Sequence, residues 1–224
     1  MSKKFVLLSL SGIFFFFSFV FFSYLVDKDH LDRIDFDTTV RLQDNISRRF
    51  DDIFSIFSLM GSFEVMIVVL IVLFVVLRKF IAGTIAIFLF GMFHIIELYG
   101  KNFVDHFPPP EFLLRTKRFL EFPQFHVRAE FSYPSGHSGR TMFISAVIIV
   151  IVLFSKRLSL PVKAGIIAGV FGFDTVMLIS RIYLGEHWAT DVIGGALLGL
   201  SLGLTASAFV LLKINFKKAS AAKN

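Results

Sequence analysis

Six long apolar runs are the feature of this sequence that most restricts its fold. About 20 apolar residues in a helix cross the hydrocarbon core of a bilayer. The mean hydropathy of +0.75, with 55% of the 224 residues hydrophobic, is too high for an ordinary soluble domain. We therefore predict an all-α fold, a six-transmembrane helical bundle in a single domain over residues 1–224. The expected spans are residues 5–25, 62–80, 81–100, 138–155, 161–184 and 189–212.

The first run fits two interpretations. Two lysines precede Phe5–Leu25, as they would in a secretory signal peptide. However, the run is longer than the usual apolar core of a signal peptide, and it lacks a small-residue cleavage pattern. Since five further apolar spans follow, we interpret the run as the first transmembrane helix.

The stretch after the first span, Val26–Gly61, has a different pattern. Eight aspartates alternate with basic residues, while apolar residues such as Ile46, Phe50 and Phe57 recur at helical spacing. This pattern predicts an amphipathic helix that lies on the membrane surface. Because the carboxylates are spread along the segment, we expect them to be solvated on one face and not to bind a metal.

The charges between the spans predict the orientation in the membrane. With six spans, both termini lie on one side, and that side carries eleven Lys and Arg and no acidic residue. The long loops on the opposite side carry ten basic and twelve acidic residues. By the positive-inside rule the acid-free side is cytoplasmic. This placement explains the net charge of +6 without a nucleic-acid partner.

Three polar segments then meet on the outer side of the membrane. They are Lys101, Ser135–His137 and Arg181–Asp191. His187 and Asp191 are four residues apart and share a helix face, so the carboxylate can hold the imidazole in one tautomer. Interfacial anchoring of a helix end would explain the last segment alone. It does not explain why three distant segments converge at one depth.

Pro134 and Ser135 mark the start of the fourth span. Ser135 is a good N-cap, and the free amides at the start of a helix form a ready phosphate site. Gly136 would let an anion approach the backbone closely. Capping alone accounts for Ser135, but it does not account for the adjacent His137.

Together these residues suit phosphoryl transfer. Lys101 and Arg181 supply positive charge, the histidines supply attack and proton transfer, and Asp191 orients one histidine. No cofactor and no metal are expected, because fixed cations and helix amides can do the electrostatic work of a metal. The absence of cysteine excludes thiol nucleophiles and Cys-ligated metals.

These residues form two motifs that resemble those of the type 2 phosphatidic acid phosphatase superfamily, membrane lipid phosphatases related to vanadium haloperoxidases. Pro-Ser-Gly-His is met in full at Pro134–His137. Ser-Arg-x5-His-x3-Asp is met in full at Ser180, Arg181, His187 and Asp191. The resemblance covers residues 101–191, and the order of the motifs between the spans matches as well.

The resemblance implies a role for each of these residues. His187 would be the nucleophile that forms phosphohistidine, Asp191 would orient it, and His137 would be the general acid and then the general base. The groups implied to hold the phosphoryl oxygens are Lys101, Ser135, Gly136 and Arg181.

The first family motif, Lys-x6-Arg-Pro, is only partly met. Lys101 is present, but Pro108 stands where the family has arginine. Three interpretations remain open: another cation compensates, the enzyme is slower or prefers another substrate, or the protein is a catalytically dead relative. We favour compensation, with Arg140 as the first candidate because it lies one helical turn beyond His137. The other candidate cations are Arg115, Lys117, Arg118 and Arg128.

The predicted function is metal-independent dephosphorylation of a lipid phosphate or diphosphate on the extracytoplasmic face of the cell membrane. The candidate substrates are undecaprenyl diphosphate, phosphatidylglycerophosphate, phosphatidate and lipid A phosphates, and the breadth of the family favours the first. One alternative is a lipid phosphotransferase. Another is a non-catalytic regulator that binds lipid phosphate.

Two further acids lie on predicted spans. Glu97 falls on the same helix face as Lys101, where it either positions that lysine or forms a simple interfacial ion pair. Asp174 lies on the fifth span, where it either supports the site or hydrogen-bonds a neighbouring helix.

Overall fold

The computed structural model describes residues 2–117, 119 and 131–212, and within these residues all regular secondary structure is helical. The α-helices are α1 (Lys3–Asp27), α2 (Asp32–Asn45), α3 (Asp51–Ser58), α4 (Phe63–Val76), α5 (Phe80–Phe103), α6 (Gly136–Phe154), α7 (Leu160–Tyr183) and α8 (Ala189–Val210). Short 3-10 turns occupy Arg48–Phe50, Leu59–Gly61 and Glu111–Leu113. The predicted all-α class is confirmed.

Five of these helices, α1, α5, α6, α7 and α8, are long and apolar enough to cross a membrane. The second expected span is different, because α4 has 14 residues and is about 21 Å long. That is shorter than a hydrocarbon core of about 30 Å. Arg48–Gly61 and Phe63–Val76 meet at 51° and make a sixth crossing only if they are taken as one bent span. The chain is a multi-pass integral membrane protein.

The segment between α1 and α4 departs from the single surface helix that we expected. It forms two α-helices, because the backbone of Ile46 is extended at the end of α2. Its aspartates are not all solvated either, since Asp35 on α2 and Asp51 on α3 are buried. Several apolar side chains of the segment face outward instead, and Ile34 is 57% exposed.

The buried face of α2 is polar and is satisfied by other elements. Asp35, Thr39 and Gln43 follow one another at intervals of four residues, and all three are buried. The Gln43 amide donates to the carbonyl oxygens of Leu113 (2.7 Å) and Tyr183 (2.8 Å). Because these contacts compensate for lost hydration, the polar side of the helix can pack against the bundle.

Helix α8 lies at the centre of the bundle and packs against α1, α5 and α6. The α6–α8 contact is close because glycines line it. A Cβ atom at Gly199 would lie 2.1 Å from the carbonyl oxygen of Gly139, and one at Gly195 would lie 2.2 Å from that of Ser135. Small residues allow two membrane helices to approach in this way. The starts of α6 and α8 therefore lie side by side.

An apolar core holds α4, α5, α6 and α8 together on the membrane side of these helix starts. Its buried members include Leu70, Phe90, Phe143, Val147 and Ala206. The Phe90 and Phe143 rings meet edge to face with centroids 5.3 Å apart. This packing fixes the helices whose ends carry the polar residues.

Candidate active site

The polar residues predicted from the motifs meet where α6 and α8 begin and α7 ends. The Ser135 amide donates to the carbonyl oxygen of Asp191 (2.9 Å), which joins the start of α6 to α8. The Asp191 carboxylate also accepts from the Trp188 amide (3.0 Å) and so caps α8. His137, Arg181, His187 and Asp191 are all buried in this region.

His187 and Asp191 form the pair that their spacing predicted. His187 Nδ1 lies 3.2 Å from Asp191 Oδ2. Burial lowers the pKa of His187, and the charges of Arg181 and Lys101 lower it further, against the opposing effect of Asp191. At neutral pH the ring is therefore uncharged and donates its Nδ1 proton to Asp191. The lone pair is left on Nε2, the nitrogen that a nucleophile needs.

His137 has the opposite tautomer. Its Nδ1 lies 3.4 Å from Arg140 Nη2, and a guanidinium group can only donate. Nδ1 therefore accepts, and the proton of the neutral ring is on Nε2. This Nε2 is buried and has no hydrogen-bond partner among the described residues. His137 thus presents a proton at the site where His187 presents a lone pair.

Glu97 holds the cations on the other side of the site. One carboxylate oxygen is 3.1 Å from Lys101 Nζ, and the other is 3.1 Å from His94 Nδ1 and 3.5 Å from Arg140 Nη1. The Glu97–Lys101 pair that we considered is therefore present, and its carboxylate is buried and belongs to a larger cluster. Arg140 is further fixed by donating from Nε to the Gly61 carbonyl (3.0 Å).

Ser135 and Gly136 lie at the start of α6, but not quite as the sequence suggested. The Ser135 side chain makes no capping bond, and its Oγ is buried without a hydrogen-bond partner in the described part of the chain. A Cβ at Gly136 would lie 2.1 Å from Glu97 Oε1 and 2.7 Å from Arg140 Nη1. The group that approaches Gly136 is therefore the Glu97–Arg140 pair, and any larger residue there would displace it.

Arg181 is buried at the end of α7. Its Nη1 donates to Ser58 Oγ (2.6 Å), and its Nη2 forms an ion pair with Glu186. Within the described ranges its Nε has no hydrogen-bond partner. The guanidinium is thus held in place with donor capacity to spare.

Pro108 supplies no functional side chain to the site, and its ring is exposed. Of the other cations that we considered, Arg115 stacks over the Tyr183 ring at 5.0 Å, and Lys117 pairs with Asp52 at 2.6 Å. Arg118 and Arg128 lie outside the described residues. Arg140, which touches both His137 and Glu97, is the candidate that the structure brings to the site.

Two residues at the site were not predicted from the sequence. His106, in the loop after α5, contacts Asp191, and Asp35 on α2 contacts both His106 and Thr190. The only signal in the sequence was the repeat of polar residues at 35, 39 and 43, which marks one face of α2. Asp174 hydrogen-bonds a neighbouring helix, which is the second of its two interpretations, since it accepts from Ser145 of α6 (2.7 Å).

No group of three or more His, Asp or Glu side chains within the described residues is arranged to hold a metal ion. What the site offers is three buried groups without hydrogen-bond partners among the described residues: Ser135 Oγ, His137 Nε2 and Arg181 Nε. His137 also interacts electrostatically with Arg181, Arg140, His187 and Lys101, so positive charge lies near this ring. Leaving a buried donor unpaired costs about 1–3 kcal/mol. The arrangement therefore suits an anion.

Comparisons with known proteins agree with this geometry. The family model of the PAP2 superfamily matches residues 80–214. Phosphatidylglycerophosphatase B of Bacillus subtilis (strain 168) is 29% identical over 138 residues, which cover 59% of this chain and 60% of that protein. The match therefore spans less than two thirds of the length of that relative.

Two solved structures share the fold. One is a transmembrane PAP2-type phosphatidylglycerolphosphate phosphatase from Bacillus subtilis, with a TM-score of 0.73 and 18% identity over 92% of this chain and 99% of that one. The other is LpxE of Aquifex aeolicus, with a TM-score of 0.56 and 22% identity over 77% of this chain and 94% of that one.

Proposed function

Because this chain belongs to the PAP2 superfamily, we propose that it is a lipid phosphatase that works through a phosphohistidine intermediate. The observation that carries this proposal is the set of three buried groups without partners among the described residues, Ser135 Oγ, His137 Nε2 and Arg181 Nε, together with the electrostatic interaction of His137 with His187 and Arg181. A phosphoryl group would satisfy all three groups at once. The resemblance found in the sequence is confirmed at the level of the family.

The two histidine tautomers support a division of roles. His187 attacks phosphorus through Nε2, so that an N–P bond forms while the bond to the leaving oxygen breaks. Asp191 stabilises the positive charge that develops on the ring. His137 gives its Nε2 proton to the leaving oxygen and then takes a proton from the water that hydrolyses the phosphohistidine. The free lipid is released first and inorganic phosphate second.

Positive charge around the phosphoryl group supports the same chemistry. Arg181 and Lys101, the Ser135 hydroxyl and the first amides of α6 are the proposed phosphate ligands. Arg140 has a proposed double role. It replaces the charge of the arginine absent at Pro108, and it holds His137 in the tautomer that can donate.

We propose phosphatidylglycerophosphate as the first substrate to test, because the similar Bacillus subtilis protein is named for it. Undecaprenyl diphosphate, phosphatidate and lipid A phosphates complete the panel. A lipid substrate also suits the exposed phenylalanines Phe103, Phe107 and Phe112, which are placed to rest on a membrane beside the site. Phe107 is close to it, since its carbonyl accepts from Trp188 Nε1 at 2.8 Å.

The decisive experiment measures phosphate release from this panel by purified protein in detergent. We expect wild-type protein to release phosphate with EDTA present and His187→Ala to release none. His30→Ala, at an exposed histidine, is the matched control and should behave as wild type. Loss of activity in EDTA would overturn the metal-free mechanism. If wild type transfers labelled phosphate to another lipid, the phosphotransferase is favoured, and if it binds the lipids without turnover, the regulator is favoured.

We propose that the site faces the extracytoplasmic side, as the distribution of charges predicts. The chain has no cysteine, so single cysteines can be labelled without background. In intact cells a membrane-impermeant maleimide should label Phe112→Cys, near the site, and leave Arg157→Cys, at the opposite end of the bundle, unlabelled. Both positions are exposed. The reverse labelling would overturn the proposed orientation.

A further inference from the structure

His106 lies between two buried carboxylates on different helices. Its Nδ1 is 2.9 Å from Asp191 Oδ1, and its Nε2 is 3.4 Å from Asp35 Oδ2. The imidazole is 6% exposed. Because a carboxylate accepts hydrogen bonds, both ring nitrogens are in a position to donate, and this requires the charged imidazolium form.

Asp35 brings α2 to the start of α8. Its two oxygens accept from the Thr190 amide (2.8 Å) and the Thr190 hydroxyl (2.6 Å). These two bonds fix Asp35 beside Thr190, the residue that precedes Asp191. The contact explains why an acid on a helix that looked surface-bound is buried.

Each oxygen of Asp191 serves a different imidazole. Oδ1 faces His106, while Oδ2 faces His187 and the Trp188 amide. The loop around His106 is held independently of its side chain, because its carbonyl accepts from the Ser132 amide (2.9 Å). Substitution of the His106 side chain therefore leaves this backbone contact in place.

The charged groups near His106 favour its protonated form. Burial alone lowers the pKa of His106, but the hydrogen bonds and charges of Asp191 and Asp35 outweigh burial and raise the pKa to about 10. Asp32 of α2 also interacts with it electrostatically, and the uncharged ring of Tyr133 lies 6.4 Å away. His106 therefore carries its charge throughout the neutral range.

We propose that His106 is a positioning residue that acts through Asp191. It orients the carboxylate so that Oδ2 receives His187, and its positive charge limits how strongly Asp191 stabilises protonated His187. His187 then stays neutral and able to attack. This inference rests on the proposed function, because His106 has a role in turnover only if His187 is the nucleophile.

The charges that face His187 decide the direction of the effect. Asp191 favours its protonated form, whereas Arg181 and Lys101 oppose it, and His137 lies nearby. Removing the charge of His106 leaves the negative charge of Asp191 uncompensated. The pKa of His187 then rises, and less neutral imidazole is present at a given acidic pH.

The test compares the pH dependence of kcat/KM for wild type, His106→Gln and Asp35→Asn on phosphatidylglycerophosphate. In His106→Gln the acid limb should move up by about one pH unit, which is about a tenfold loss below the limb. Well above the limb the rate should stay within about threefold of wild type. Asp35→Asn leaves His106 in contact with Asp191, so it should shift the limb by less than His106→Gln does. Because Asp35 acts through His106, the double variant should shift it no further than His106→Gln alone.

Two measurements separate positioning from a structural role. His30→Gln is the matched control, and it should leave the acid limb in place. Histidine labelled with 15N reports the titration of His187 directly by NMR, with His187→Ala to assign the signal. We expect the His187 titration to move up in His106→Gln.

The outcomes are distinguishable. An unchanged acid limb and an unchanged His187 titration in folded His106→Gln would overturn the inference. It would also be overturned if both single variants failed to fold while wild type folded, since His106 would then be structural only. If wild type releases no phosphate, the proposed function fails on its own. The NMR titration still decides whether His106 controls the protonation of His187.

Discussion

The site contains two buried carboxylates, and their surroundings differ in kind. Asp191 lies between two imidazoles, the neutral ring of His187 and the charged ring of His106. Glu97 lies against the cationic side chains of Lys101 and Arg140 and against His94. The difference indicates that Asp191 governs a proton, while Glu97 governs where positive charge is placed.

The same difference bears on the arginine that is absent from the first family motif. At Asp191 every motif residue is present in the sequence. The motif that contributes Lys101 to the Glu97 centre lacks its arginine, because exposed Pro108 occupies that position. The arginine that contacts Glu97 is Arg140, which comes from another helix. Substitutions at the Asp191 centre should therefore change the rate and its pH dependence. Those at the Glu97 centre should change the binding of the phosphoryl group.

Asp191→Asn should have the largest effect. The asparagine amide can donate to His187 Nδ1 and favour the wrong tautomer, so kcat should fall by about 10³-fold or more. The measurement is kcat for phosphate release in detergent. Asp44→Asn, at an exposed aspartate of α2, is the matched control. A loss below tenfold would mean that Asp191 is not the partner that orients the nucleophile.

Arg140→Ala should have the next largest effect. It removes a buried cation and the donor that holds His137 in its tautomer, so kcat/KM should fall about 100-fold. Arg41→Ala, at an exposed arginine, should leave the rate unchanged. Arg140→Lys keeps the charge but loses the planar set of donors. Recovery by lysine would assign the effect to charge alone, and an unchanged rate in Arg140→Ala would remove the idea of compensation.

Sequence spacing found the residues whose neighbours are close in the chain. Arg140 lies one helical turn after His137 on α6, so helical geometry brings that pair together. His187 precedes the start of α8, so the turn before the helix brings it to Asp191, and not the shared helix face that the spacing predicts. The start of α6 was also visible in the sequence, because Pro134 and Ser135 precede a long apolar run. Spacing could not predict whether the Ser135 hydroxyl makes a capping bond, because that depends on the groups across the site.

The residues that the sequence missed are placed by contacts between distant segments. Asp35 is buried because α2 meets Thr190 of α8, and periodicity cannot say whether the polar face of an amphipathic helix meets water or another helix. His106 lies in a loop without any periodic pattern. The sequence predicts that Gly136 gives an anion access to the backbone, but it does not show that the Glu97 side chain on α5 also requires glycine at this position.

Glu97→Gln tests the placement of charge. Lys101 and Arg140 lose their shared carboxylate, so the phosphoryl group should bind less well and KM should rise about tenfold. Breaking a buried ion pair costs about 3–5 kcal/mol, so Tm in detergent should fall as well. Glu111→Gln, at an exposed glutamate, is the control. The acid limb of kcat/KM should not move, and a shift would show that the two centres are not separate.

The pH dependence of wild type follows from the neutral form of His187. Since burial lowers the pKa of His187 below its usual 6.5, kcat/KM should rise with pH along an acid limb whose midpoint lies below pH 6.5. The sign follows because protonation removes the lone pair that we propose attacks phosphorus, so activity is lost as pH falls through this pKa. A limb above pH 7 would contradict a neutral nucleophile and would place the titration on another group.

Asp174→Asn should have the smallest effect, because Asp174 belongs to neither carboxylate centre. It accepts a hydrogen bond from Ser145 between α7 and α6, and asparagine can still accept that bond through its amide oxygen. We expect kcat/KM within about twofold of wild type and a change in Tm of only a few degrees. Ser145→Ala should lower Tm without lowering the rate, because it leaves the carboxylate without this donor. A large loss of rate in Asp174→Asn, with Tm unchanged, would instead connect this acid to the site and make it a third carboxylate of the mechanism.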